Sequence, residues 1–251
     1  MNKSRGKILL IDNSNSRTKF MRVEGGVFPG KIRVVSTDEL SVSRIREVVG
    51  DEEIAVAVIS SVVPSCRQLF VDALECSVHF VSVDSPMEIG FDYPGKTTLG
   101  ADRIVNALAV AARGVFPCVA VDAGTATTFD VIEKRGDYAV YVGGVIAPGL
   151  SAFTDYMHER TACLPNLGYI SMQPHAIGKN TEEAMQAGAV YGFCGMCSGI
   201  IERINRQLGC ECSVVVTGGD AELLCRESGH DYMLKKYLTF EGLLRVAENL
   251  L

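Results

Sequence analysis

The sequence predicts an α/β protein made of two copies of one domain plan, with a cleft between them. Two observations carry this. Apolar strand-like runs alternate with helix-like stretches along all 251 residues. That order gives sheets with both faces covered. The chain also echoes itself. "ILLIDNSNSRTKF" (residues 8–20) and "VAVDAGTATTFDV" (residues 119–131) share an apolar strand, an Asp, a turn rich in Ser/Thr, and a Phe. Asp12 matches Asp122, Ser14 matches Gly124, Ser16 matches Ala126 (or Thr125, with a gap), and Phe20 matches Phe129. An offset of about 110 residues suits a duplicated domain.

The elements follow in order. Residues 8–12 form a buried strand, 19–23 continue after its turn, and "GGVFPG" (25–30) is a further turn. "SRIREVV" (43–49) is an amphipathic helix, and "IAVAVISSVVP" (54–64) a core strand that ends in small residues and Pro. "SCRQLFVDALE" is a second helix and "VHFVSV" a strand. "GFDYPGKTTLG" (90–100) is an irregular loop that feeds the helix "ADRIVNALAVAAR". "CVAVDAGTATTFDVIE" repeats the strand–turn–strand theme, and "YVGGVIAPG" (141–149) is a strand entering a Gly/Pro loop. Helices follow near 151–160, 180–208 and 221–228, with the strand "SVVVTGGD" between the last two; "TFEGLLRVAENLL" is the closing helix.

Composition excludes several classes. The chain is 47% apolar and 22% charged, as globular domains are. Its net charge of −6 argues against non-specific nucleic-acid binding, which needs excess Lys and Arg. Residues 8–11 are too short for the apolar core of a secretory leader. No run is read as approaching the ~18 apolar residues of a membrane span. The expected compartment is the cytoplasm. Nine Cys without a secretory signal argue against a disulfide framework. "CGMC" (Cys194, Cys197) lies in a buried helical stretch, and its distance from "CEC" (Cys210, Cys212) fits no common zinc pattern. Buried thiols are the better reading.

The P-loop, dinucleotide, zinc-protease and nucleophile-elbow motifs are absent. Two Asp-small-small turns at strand ends are present instead. A tight hairpin of small residues aims several backbone N–H groups into one space and can cradle phosphate. The Asp at the strand end can hold a cation or a water. Each turn alone could be a simple Asx or Ser/Thr turn; two in matching positions favour a ligand role. In "GADRIVNA", Asp102 and Arg103 open a helix. Asp102 suits either the helix dipole or general-base work, and Arg103 suits the grip of a carboxylate. "TGGD" (217–220) lets a flat ligand approach the backbone or makes a tight turn.

The motifs "DNSNS", "YPGKTTLGADRIVNA", "VDAGTATTFDV", "GGVIAPGL", "IGKNTEEAMQAG", "TGGDAELL" and "YLTFEGL" occur in this order. Together they resemble the type III pantothenate kinases of the actin/sugar-kinase/Hsp70-like superfamily, from about residue 8 onward. The resemblance implies two actin-like (ribonuclease H-like) domains with mixed sheets, over 1–113 and 114–251. It implies ATP-dependent phosphorylation of pantothenate, the first step of coenzyme A synthesis. The loop Asp12, Asn13, Ser14, Asn15, Ser16, Arg17, Thr18 and Lys19 would hold ATP phosphates, and Thr125 would contact ATP. Tyr93, Gly100, Ala101, Asp102, Arg103 and Thr181 would line the pantothenate site, with Asp102 as proton acceptor. Thr181 or Asn180 would also cap its helix. Asp122 would bind a monovalent cation, K⁺ or NH₄⁺, and Mg²⁺ would accompany ATP. The family forms homodimers with the substrate pocket shared across the interface. Ser14 departs from the family's usual Gly; it costs on the order of 1 kcal/mol if φ is positive, and adds a donor if φ is negative. The alternatives are a weakened nucleotide-binding or regulatory member, or another small-molecule kinase of the superfamily.

Overall fold

The computed structural model describes residues 6–28, 31–168, 170 and 173–251. Pro29 and Gly30, part of the expected 25–30 turn, lie outside them. The chain forms two compact units, residues 1–113 with 137–140 and 237–251, and residues 114–136 with 141–236.

The first unit opens with β1 (Lys7–Asn13), β2 (Arg17–Val23), β3 (Arg33–Ser36), α1 (Val42–Val49), β4 (Ile54–Ser61), α2 (Arg67–Ala73) and β5 (Ser77–Phe80). β6 (Gly90–Phe91) and α3 (Ala101–Ala111) follow. Its sheet runs β3-β2-β1-β4-β5, with β1 antiparallel to β2 and parallel to β4. One face carries Leu9, Ile11, Phe20, Ala57 and Ile59, packed with Ile45 and Val48 of α1 and Phe70 of α2. Ser41 caps α1 by accepting the Arg44 N–H at 3.1 Å, which supplies one of the helix's orphan donors with a partner.

The second unit contains β7 (Cys118–Ala123), β8 (Ala126–Arg135), most of β9 (Tyr138–Pro148), α4 (Leu150–Arg160), α5 (Thr181–Leu208), β10 (Ser213–Thr217), α6 (Ala221–Glu227) and β11 (Met233–Leu234). The sheet order in this unit is β11-β10-β7-β8-β9. Here β7 is antiparallel to β8 and parallel to β10. Val121, Phe129 and Val216 pack with Val190 and Phe193 of α5 and Leu224 of α6. The last helix, α7 (Leu238–Leu250), belongs to the first unit, where it packs on α3, β1 and β4.

The echo is visible in the strand pairing. Ile11 pairs with Phe20 and Asp12 with Lys19; Val121 pairs with Phe129 and Asp122 with Thr128. The first turn is one residue longer, which is the gap the alignment needed.

Several expectations change. β2 starts at Arg17, two residues early, because Thr18 pairs with Asn13 and is fully buried. β3 was not foreseen; its four residues carry one buried side chain and too little pattern to read. The loop over 90–100 contains β6 and a 3₁₀ turn at Lys96–Thr98. α7, expected with the second domain, completes the first. α5 is long and apolar enough to pass for a membrane span, although no such run was read from the sequence. Its Met185, Ala189, Val190, Phe193, Cys194 and Cys197 are core residues of the second unit.

Candidate active site

In the first unit the β1–β2 turn is held by a chain of hydrogen bonds. Asn13 Nδ2 donates to Thr18 Oγ1 at 2.8 Å, and Thr18 and Thr37 hydroxyls meet at 3.0 Å. Thr37 Oγ1 donates to the Ser14 carbonyl at 2.7 Å, and the Thr37 N–H to the Ser16 carbonyl at 3.1 Å. Ser61 Oγ donates to Asn13 Oδ1 at 2.6 Å. These bonds fix the turn and leave Asn15, Ser16 and Arg17 exposed at its tip. Among the described residues no non-glycine has positive φ, so Ser14 carries no left-handed strain. Its hydroxyl donates to the Arg17 carbonyl at 2.8 Å and so serves the turn itself. Lys19 Nζ lies 3.0 Å from Asp12 Oδ2, which gives the buried Asp12 carboxylate an internal counter-charge.

Asp102 sits in the first turn of α3, after Gly100. Its Oδ1 accepts the Arg103 backbone N–H at 2.8 Å. A Cβ on Gly100 would lie 2.5 Å from that oxygen, so a side chain there would displace the carboxylate. Burial pushes the Asp102 carboxyl above its usual range, the Arg103 N–H offsets part of this, and the charge of Asp12 pushes it further up. Asp12 and Asp102 thus share one end of the first unit. Tyr93 is half-buried on the same segment that leads into α3, with the Lys96 N–H on its carbonyl at 3.1 Å. Arg103 is buried within α3.

In the second unit three turns meet at the C-terminal end of β7. The Gly149 N–H donates to the Thr125 carbonyl at 3.2 Å, and the Asp220 N–H to the Ala123 carbonyl at 2.9 Å. The Asp220 carboxyl is raised by burial, against the bond it accepts from the Leu150 N–H. Gly218 has φ +103, and a Cβ there would lie 2.3 Å from the Ala123 carbonyl oxygen and 2.6 Å from Asp122 Oδ1. Only glycine fits both the conformation and the space. Asp122 is half-buried and Thr125 exposed. Thr181 is the exposed first residue of α5. Asn180 is the cap: it accepts the Glu183 N–H at 2.9 Å and donates to Glu183 Oε1 at 2.9 Å.

The structure therefore places Asp12–Lys19, Tyr93 and Gly100–Arg103 in the first unit, and Asp122, Thr125 and Thr181 in the second. Thr37, Ser61, Gly149 and Asp220 were missed as supports of the two turns. Thr37 and Ser61 reach the loop only through strand pairing, which no local motif encodes. The "GGVIAPGL" and "TGGD" glycines were the available signal for Gly149 and Asp220. All nine Cys are free; burial raises the thiols of Cys118 and Cys197 to about 12 and Cys194 to about 11. Cys66, Cys118, Cys194 and Cys197 are buried and pack as small apolar groups, whereas Cys163 and Cys210 are exposed.

A duplicated mixed sheet with an Asp at the end of the first strand of each copy defines the actin/sugar-kinase/Hsp70-like class. An archaeal actin homologue in complex with ADP matches it with a TM-score of 0.51 at 13% identity, over 97% of this chain and 98% of that one. The type III pantothenate kinase family model matches residues 8–203. A type III pantothenate kinase of Akkermansia muciniphila is 42% identical over 96% of this chain and 98% of its own length. That of Methylacidiphilum infernorum is 35% identical over 97% and 89%. The chain belongs to the type III pantothenate kinase family and is a kinase.

Proposed function

We propose that this kinase transfers the γ-phosphoryl group of ATP to the primary hydroxyl of pantothenate, with Asp102 as general base. The observation that supports it best is the Asp102 carboxylate. It is pinned by the Arg103 N–H and made more basic by burial and by Asp12. A base poised this way can accept the hydroxyl proton as the oxygen attacks phosphorus. Arg103 and Thr181 would orient pantothenate, with Tyr93 and the Gly100–Ala101 backbone lining its site. The tip of the Asp12–Lys19 loop and Thr125 would receive the nucleotide. Alignment and charge neutralisation are most of what phosphoryl transfer asks of a protein. Mg²⁺ bound with ATP and a K⁺ or NH₄⁺ ion at Asp122 would offset phosphate charge.

The cation reading rests on the oxygen-rich surroundings of Asp122. Asp122 is half-buried and lies opposite Thr128 in the ladder, which brings a hydroxyl oxygen to the same face. Gly218 keeps the space beside Asp122 Oδ1 clear of side chain, and oxygen donors suit a hard cation. Replacing K⁺ by Na⁺ is expected to slow turnover at least about tenfold, or ~1.4 kcal/mol of transition-state stabilisation. A rate indifferent to the ion would remove this role from Asp122. Ser14→Gly is expected to alter the KM for ATP by no more than about fivefold, since the turn stands without a positive φ and loses one local hydrogen bond.

The direct assay couples ADP release to pantothenate in the presence of ATP, Mg²⁺ and K⁺. Absence of pantothenate-dependent ADP would reject the reading and favour a nucleotide-binding member without turnover. The homodimer is part of the same proposal. Ile146, Tyr156, Ile177 and Tyr191 of the second unit are exposed large apolar side chains, which suit burial against a second copy. The reading implies the cytoplasm, where ATP and K⁺ are abundant.

A further inference from the structure

The second hairpin carries a buried acid that the reaction above does not use. Asp130 and Tyr141 are both fully buried, and Tyr141 Oη donates to Asp130 Oδ1 at 3.0 Å. Thr128 Oγ1 donates to Asp130 Oδ2 at 3.4 Å. At the matching place in the first hairpin, next after Phe20, stands the apolar Met21, also buried. The fold thus accepts an apolar residue here, while burial of a carboxylate costs free energy. Thr128 lies directly opposite Asp122 across the β7–β8 ladder, so their Cβ atoms are about 4.5–5.5 Å apart and on one face. Asp130 is on that same face, at the diagonal position.

From this arrangement we propose that Asp130 is a positioning residue for the monovalent cation at Asp122, acting through Thr128. A threonine hydroxyl has one proton. With that proton given to Asp130, the lone pairs of Thr128 Oγ1 turn toward Asp122 and can serve as a second oxygen donor to the ion. Tyr141 fixes the Asp130 carboxylate in the rotamer that takes the Thr128 proton. The second hairpin thus sets an acid-oriented hydroxyl opposite Asp122, where the first sets Lys19 opposite Asp12. This rests on the reading that Asp122 holds the ion.

The test uses the full chain with Mg²⁺ and ADP, and measures the thermal midpoint in KCl and in choline chloride at equal ionic strength. The K⁺ concentration for half-maximal turnover is read alongside. Thr128→Val and Asp130→Asn are expected to abolish most of the K⁺-specific rise in midpoint and to raise the half-maximal K⁺ about 10–100-fold, the usual scale for groups that orient a metal ligand. Tyr141→Phe should shift both in the same direction by less, and the KM for pantothenate should hold. Should Asp130→Asn fail to fold, Thr128→Val decides the matter, since it is half-buried and keeps its shape. A variant less stable in both salts, with an unchanged K⁺ requirement, would make the trio merely structural and overturn the proposal. A wild-type protein with no K⁺-specific response would overturn the Asp122 reading itself, and this inference with it.

Discussion

Asp102→Asn is expected to lower kcat about 10²–10⁴-fold, the range a positioned general base contributes. The variant should still bind pantothenate, because Asn keeps the shape and can accept the Arg103 N–H. The pH dependence follows from the raised carboxyl. The proposed transfer requires the ionised base, so wild-type kcat/KM should climb with pH through a value raised from that of an ordinary Asp. Stability runs the other way. An acid whose folded-state pKa is raised binds its proton more tightly when folded, so its ionised form costs stability at neutral pH and the cost fades as pH falls through the folded value. Asp102→Asn should therefore melt at or above the wild-type midpoint near pH 7. Full turnover in the variant, or a clear drop in its midpoint, would show that Asp102 is a structural cap.

Gly242→Ala should cause the largest loss of stability, about 3 kcal/mol, read from the urea midpoint of the first unit. A Cβ at Gly242 of α7 would lie 2.0 Å from the Val105 carbonyl oxygen of α3, with the Val105 Cβ at 2.9 Å. Backbone cannot rotate out of the way as a side chain can, so α7 must withdraw. Withdrawal also strains the buried bond from Thr239 Oγ1 to Asn106 Oδ1, now 2.9 Å. Since α3 carries Asp102 on its first turn, lost activity should accompany lost stability. An alanine variant with wild-type stability would mean the helices can slide without cost.

The residues proposed to bear the chemistry are the ones with a local signature. Asp12, Asp122 and Asp102 stand in short local patterns: a strand that ends in Asp and small residues, or an Asp that opens a helix. The duplication was legible because each Asp keeps a Phe at nearly the same distance. What the sequence left open depends on pairing between distant segments. Lys19 reads as a loop cation until the Asp12–Lys19 register places it on the carboxylate. Thr37 and Ser61 are unremarkable polar residues until β2–β3 and β1–β4 pairing bring them to the turn. Whether Ser14 is strained was a matter of φ, and hairpin geometry answers that part. The affiliation of α7 could not be read from its amphipathic pattern, which fits any apolar face.

That affiliation bears on how the protein is made. Residues 238–250 emerge from the ribosome only after the whole second unit has been synthesised. Until then β1, β4 and α3 lack the helix that covers them, and the apolar surface they share is open to wrong partners. The second unit, residues 114–136 and 141–236, has no such wait. The half of the molecule translated first is thus the half completed last, and its nascent chain is the one most in need of a chaperone's cover.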